Sequence, residues 1–203
     1  MISTSGAQSG RGRYDRSSTA AQRAAQQAAR IADATASTVA RRGLGATTID
    51  HVVRAAGVGR NTFYRHYRDL DHAVRHARAA AGATLWRMAS ARLAAAYTPT
   101  EKIRALVHAW LDLATEEPNT VAMLLLRIGA DDPSEGTTAL GQLLTATLAD
   151  AHRDAVLSTP PDQIRVLAAI GALEAVARDC IRHPASLSAA EATLVDVIVR
   201  LFR

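Results

Sequence analysis

Between Arg60 and Tyr67 the chain reads RNTFYRHY, a run that sets hydrogen-bond donors among aromatic rings. On a helix, Phe63 and Tyr67 share one face because residues four apart are neighbours. The opposite face then carries Arg60, Asn61, Thr62, Arg65 and His66, with no carboxylate among them. Arginine can bond both major-groove acceptors of guanine and asparagine can read adenine, while hydroxyls and imidazolium reach phosphates. Three of the eight aromatics of the chain, Phe63, Tyr64 and Tyr67, fall inside these few residues. The pattern by itself fits either a helix that reads a duplex or a helical hairpin with a polar surface.

Other residues capable of chemistry lead nowhere further. His72 and His76 are four apart on one helix face, a spacing that metals use, but two imidazoles alone do not make a site and the neighbouring Asp69 is expected to cap the helix. Gly57-x-Gly59 lies between two helical patterns, with no strand before it and no third glycine, so it is not a dinucleotide fingerprint. Neither a Gly-x-Ser-x-Gly elbow nor a P-loop occurs. Cys180 is the single cysteine and follows Asp179, and it lacks an obvious activating cation, since Arg178 and Arg182, two residues away, do not share its helix face. We therefore expect no catalytic residues, no metal and no cofactor, and a protein that is not an enzyme.

The elements that must position the Arg60–Tyr67 run are helices. Among 203 residues, 44 are alanine, while aromatics make up only 4%. Alanine is the best helix former, and strands favour aromatic and β-branched residues. A helical pattern runs from Thr19 to Arg42, with Ile31, Ala34, Thr35, Thr38 and Val39 on one face, and Gly43 and Gly45 stop it. A short helix capped by Thr48 follows, with Ile49, Val52, Val53 and Ala56 as its apolar face. Gly57 supplies the positive φ of a tight turn, Val58 plugs the space beneath it, and a third helix runs from about Arg60 to Tyr67. Residues 48–67 thus have the form of a helix-turn-helix.

Six more helices follow from repeated start signals: roughly 70–96, 99–116, 118–129, 133–157, 160–182 and 188–202. Asp69 caps the first. Thr98-Pro99-Thr100-Glu101, Asp132-Pro133-Ser134-Glu135 and Ser188-Ala189-Ala190-Glu191 read as capping boxes, and Thr159-Pro160-Pro161-Asp162 as a variant of one. The fold expected is all-α: an N-terminal three-helix helix-turn-helix domain over residues 19–69 and a six-helix body over residues 70–203.

Charge divides the chain in the same place. Residues 1–78 hold thirteen arginines against five aspartates, whereas the remainder has eleven basic and fourteen acidic residues. A basic third on a mildly acidic body is the footprint of a chain that meets a polyanion at one end, or else of a solubilising surface. Residues 1–18 are rich in Ser, Gly and Arg and should form a disordered arm. Its Arg11, Arg13 and Arg16 either follow the DNA backbone or minor groove, or make no specific contact. No apolar run approaches the ~20 residues that span a bilayer, and no apolar stretch follows the N-terminal charges, so we expect a cytoplasmic protein without membrane contact.

The stretch Arg30–Val74, RIADATASTVARRGLGATTIDHVVRAAGVGRNTFYRHYRDLDHAV, resembles the N-terminal domain of TetR-type bacterial transcriptional regulators. The likeness runs through Ile31, Asp33, Ala34, Arg42 and Gly43, then Thr48-Ile49, Ala56-Gly57-Val58 and Thr62-Phe63-Tyr64-Arg65-His66-Tyr67. It implies a homodimer that places two recognition helices in successive major grooves of a palindromic operator on double-stranded DNA. It further implies a divergent helical C-terminal domain that dimerises and binds a small-molecule inducer. Carried over by position, Arg60, Asn61, Thr62 and Arg65 would read bases or adjacent backbone, and Thr48, Tyr64 and His66 would anchor phosphates. Two positions depart from the family pattern. Leu70 replaces a frequent lysine, which leaves the phosphate anchor absent or moved to Arg68. Gly59 stands where Ser or Thr usually caps the recognition helix.

In the body, helix 188–202 offers a stripe of Ala190, Leu194, Val197, Ile198 and Leu201. Helix 160–182 offers Ile164, Leu167, Ala168, Gly171, Ala172 and Ala175, whose small members let backbones approach closely. Two such helices per subunit would make a four-helix interface; the alternative is internal packing. Trp86, Met88, Trp110, Met123 and Leu124 are of the kind that line ligand sites and equally of the kind that fill cores. Arg127, after an apolar run, needs Asp112, Glu174 or an anionic ligand as partner, unless it reaches solvent. The reading is a repressor released from its operator by an unidentified small molecule. The rival is a helical small-molecule-binding or enzymatic protein that has lost specific DNA binding.

Overall fold

Short-range signals for starting and stopping helices account for most of the element boundaries. The computed structural model describes residues 19–126, 139–183 and 187–203, and these hold no strand. The helices are α1 (Ala20–Arg42), α2 (Ile49–Ala56), α3 (Arg60–His66), α4 (Leu70–Ala94) and α5 (Pro99–Glu116), followed by α6 (Pro118–Leu124), α7 (Ala139–Arg153), α8 (Gln163–Arg182) and α9 (Leu187–Leu201). Thr19 and Thr98 close capping boxes with Gln22 and Glu101. Each pairs a hydroxyl with an orphan N–H while the third residue bonds back to the cap. Thr48, Asp69 and Asp162 each accept one N–H from the first turn of their helices.

Five expectations need correction. Gly43 alone ends α1, at φ 78°; Gly45 lies in a 3-10 turn, Leu44–Ala46. Asp162, not Thr159, caps α8, because a residue before proline is steered away from helical backbone and two prolines follow Thr159. α9 begins at Leu187, so Ser188 lies inside the helix rather than before it. α7 ends at Arg153 instead of 157. There Ala155 takes φ 57°, donating its N–H to His152, while the Val156 N–H reaches Ala151. This is the left-handed helix ending that glycine normally supplies, and alanine hides it from a sequence reading. The helix expected over 118–129 also stops short, at Leu124, with Leu125 as its C-cap. The arm at 1–18, the Asp132 capping box and Arg127 lie outside the described residues.

Left-handed backbone is costly for a residue with a Cβ. Ala155→Gly should therefore raise stability by about 0.5–1 kcal/mol after the greater unfolded-state entropy of glycine is allowed for. Urea unfolding checks this, and a lower midpoint would contradict it.

The apolar residues gather into two cores. The smaller joins Ile31 and Ala34 of α1, Val52, Val53 and Ala56 of α2, Phe63 and Tyr67 at α3, and Ala73 of α4. The larger is built on α5, with Leu106, Trp110, Leu111 and Leu113 fully enclosed, and draws on α4 and α6–α9. α1 serves both, since Ala32 and Val39 face the larger core. Its buried Thr35 and Thr38 donate to the Ile31 and Ala34 carbonyls, which satisfies hydroxyls enclosed there. At the start of α4, Ala73 belongs to the small core and Val74 to the large one, and Leu70 packs on both. The position at which the sequence shows no lysine is thus an apolar joint between the two units.

On α8, Ile164 is 80% exposed and Leu167 57%, with Ala168, Gly171 and Ala175 open beside them. The α9 stripe behaves differently. Leu194 and Ile198 are buried within the chain, so only part of that expected stripe, Val197 chiefly, faces outward.

Candidate nucleic-acid interface

α3 is held by its buried side and leaves its polar side open. Phe63 is fully enclosed, with its ring 5.6 Å from that of Tyr64 and 5.5 Å from that of Tyr67. The turn before α3 is fixed by Gly57 at φ 63°, whose N–H bonds the Arg54 carbonyl while Val58 N–H bonds that of Val53. Val58 packs against the small core, and Arg30 Nη2 donates to the Ala56 carbonyl at 2.7 Å, tying α1 to the end of α2. Gly59 caps α3 with backbone alone, as its lack of a side-chain acceptor implies.

Tyr67 anchors the other end. Its hydroxyl lies 3.1 Å from the Ala28 carbonyl and 2.6 Å from His76 Nδ1 on α4. Burial pushes this hydroxyl above the usual tyrosine range, and the Asp33 carboxylate acts in the same direction. His72 packs edge-on against the same ring. Of the two histidines that share a metal-like spacing, His76 meets Tyr67 by a hydrogen bond and His72 by ring packing.

Most of the residues singled out in the sequence are open to solvent. Arg60, Asn61, Tyr64, Arg65 and Arg68 are exposed, and Thr62 is half-buried. Arg65 Nη2 lies 3.2 Å from Thr62 Oγ1, so one leans on the other. Thr48, exposed at the start of α2, accepts from His51 N–H at 3.3 Å and retains its own proton to donate. His66 is less free: half-buried, its Nε2 sits 3.3 Å from Gln27 Oε1. Arg68 has only a loose partner, Asp69, at 3.7 Å.

Arg60 is the member whose setting the sequence did not reveal. Its Nε and Nη2 donate to the two oxygens of Asp50 at 2.6 and 2.5 Å, a bidentate pair across the helix-turn-helix. The bond from Arg60 holds the Asp50 carboxyl below the usual range, and Asp50 in turn holds the guanidinium charged. Asp50, Gln27 and Arg30 were missed because each partner lies far from it in sequence. Only the ten-residue gap between Asp50 and Arg60 is short enough to have offered a signal.

Residues expected around a ligand are dispersed. Trp110 is buried on α5 and its indole N–H donates to the Leu173 carbonyl at 2.9 Å. Met123 is enclosed in the same core, and Trp86 stands half-exposed on α4. Asp112, one candidate partner for Arg127, is engaged by Arg92 and by His108 at 3.2 Å, and Glu174 by Arg178 at 3.2 Å. Among the described residues, no helix is long and apolar enough to cross a membrane, and no cluster of three metal-ligating side chains occurs.

Residues 31–71 match the family model described as bacterial regulatory proteins, tetR family. Many solved structures share the fold. The fatty acid degradation regulator FadR from Bacillus halodurans aligns with a TM-score of 0.70 at 15% identity, covering 84% of this chain and 97% of its own. FadR from Bacillus subtilis in complex with stearoyl-CoA gives 0.70 at 14%, covering 86% and 99%. A TetR family transcription regulator from Marinobacter aquaeolei VT8 gives 0.72 at 15%, covering 87% and 97%. At such identities the likeness is one of fold. No curated protein matches the chain in sequence.

Proposed function

We propose that this chain, whose residues 31–71 match the model of the tetR family of bacterial regulatory proteins, is a member of that family and a ligand-released repressor. In this reading residues 19–69 form the DNA-binding domain and residues 70–203 the body, with 1–18 a basic arm. A homodimer sets one α3 in each of two successive major grooves of a palindromic operator. Arg60, Asn61, Thr62 and Arg65 read bases or adjacent backbone. Thr48, Tyr64, His66 and Arg68 hold phosphates. The observation that carries the reading is the exposed polar side of α3, a helix with no acidic residue of its own, clamped from behind by Phe63 and Tyr67.

The exposed α8 stripe, Ile164 and Leu167 with the small residues beside them, supports dimerisation through that helix. A groove of about 430 Å³ between α8 and α9, lined by Ala175, Leu194 and Val197 among others, continues it. Ligand control follows from α4. Its first turns are shared by both cores, so a displacement of α4 in the body carries α3 with it. Two docking sites ~34 Å apart tolerate little change in spacing. Fold likeness to a regulator solved with stearoyl-CoA supports a small-molecule site in the body. Trp86, Trp110, Met123 and Arg127 are the residues proposed for it. Trp110 and Met123 are closed by packing, so binding there requires α5 and α6 to part.

Selection of genomic fragments with the purified protein tests the function. Fragments carrying an inverted repeat should be enriched. Arg65→Ala should then weaken operator binding by about 1–3 kcal/mol if the residue reads a base. Equal weakening on operator and random duplex would assign Arg65 to phosphate instead. Recovery of only salt-sensitive binding without sequence preference would favour a chain that has lost its operator.

A further inference from the structure

We infer that Asp50 is a specificity-determining residue, which aims the Arg60 guanidinium at a guanine and denies it to the phosphates. The inference rests on the DNA-reading role proposed for α3 and extends it to a residue that carries the wrong charge for DNA. Asp50 and Arg60 are 51% and 62% exposed in their side chains. An ion pair so open to water adds little to folding stability. Its geometry is nevertheless a full fork, with both carboxylate oxygens bonded, between the first turn of α2 and the first residue of α3.

The fork uses only part of the guanidinium. Nε and one Nη2 hydrogen go to Asp50, which leaves the two Nη1 hydrogens and the second on Nη2. The end-on edge formed by Nη1 and Nη2 is the pair of parallel donors that fits guanine N7 and O6. A long arginine side chain otherwise loses much rotational freedom when it binds, and holding it in advance reduces that loss. The aspartate also excludes alternatives. Were Arg60 to swing toward a phosphate, Asp50 would be left unpaired beside a polyanion. Contacts that keep the fork intact are thereby favoured over contacts that break it. Because the pair is neutral as a unit, it contributes discrimination among sequences and little general attraction to DNA.

Selection from a random duplex pool, followed by titration of the selected and of random duplex, tests this with four full-length proteins: unaltered, Asp50→Asn, Arg60→Ala and the double variant. The unaltered chain should enrich a consensus with a guanine that disappears in Arg60→Ala. Asp50→Asn should lower the preference for that guanine about tenfold. It should also raise affinity for random duplex about threefold, since a negative charge facing phosphates is gone. In the Arg60→Ala background, Asp50→Asn should leave base preferences unchanged. A guanine preference that survives Asp50→Asn, or uniform weakening on all duplexes, would overturn the inference alone. So would a shift in preference on adding Asp50→Asn to Arg60→Ala, because Asp50 would then read a base itself. Failure of the unaltered chain to enrich any consensus would overturn the DNA-reading role together with this inference.

Discussion

Phe63→Ala is expected to destabilise the N-terminal unit by about 3–5 kcal/mol and to abolish sequence-specific DNA binding. The small core contains only two aromatic side chains, Phe63 and Tyr67, and Phe63 is the one enclosed completely. Removing its ring takes away the contact between α3 and the floor formed by Ile31, Val52 and Val53, and leaves a void that a short α3 cannot fill without tilting. The loss approaches the whole stability of a small folded unit, about 5–15 kcal/mol. The body has its own core, so two transitions should appear in urea, the earlier one shifted strongly and the later one little. Unchanged unfolding, or operator binding at full affinity, would show that α3 does not depend on this ring.

Trp110→Ala should have the second large effect, about 3–5 kcal/mol on the later transition. Trp110 is the largest fully enclosed side chain of the described residues, and its N–H is the hydrogen bond that ties α5 to the α8 carbonyl of Leu173. Trp110→Phe retains most of the volume but leaves that carbonyl without its donor. It should cost about 1–3 kcal/mol. Comparing the two variants separates cavity from hydrogen bond. If Trp110→Ala instead leaves stability unaltered, the residue lies against removable ligand space rather than fixed core.

Local chemistry made the N-terminal unit legible. Gly57 announces its left-handed φ, Thr48 and Asp69 announce their caps, and the four-residue spacing of Phe63 and Tyr67 announces the face that packs. Misreadings arose where a residue did something unusual for its type. Ala155 adopts the conformation of a glycine, and Asp162 takes the cap that Thr159 was expected to hold. Periodicity shows which residues share a helix face but not what covers it. That is why the α9 stripe fitted both an interface and internal packing while Leu194 and Ile198 lie inside, and why Trp86 and Trp110 occupy opposite environments. The Asp50–Arg60 fork and the Tyr67–His76 bond depend on how helices are placed against one another, which no spacing rule supplies.

In the proposed repressor α3 lies in the major groove, once in each half of a symmetric site. A crystal structure of the purified chain with its selected duplex measures this directly. Two protomers related by a two-fold axis are expected, their α3 helices in grooves ~34 Å apart on one side of the DNA. Arg65 and Asn61 would then meet base edges. A complex in which α3 faces solvent, while other surfaces of the chain touch the phosphates, would contradict it.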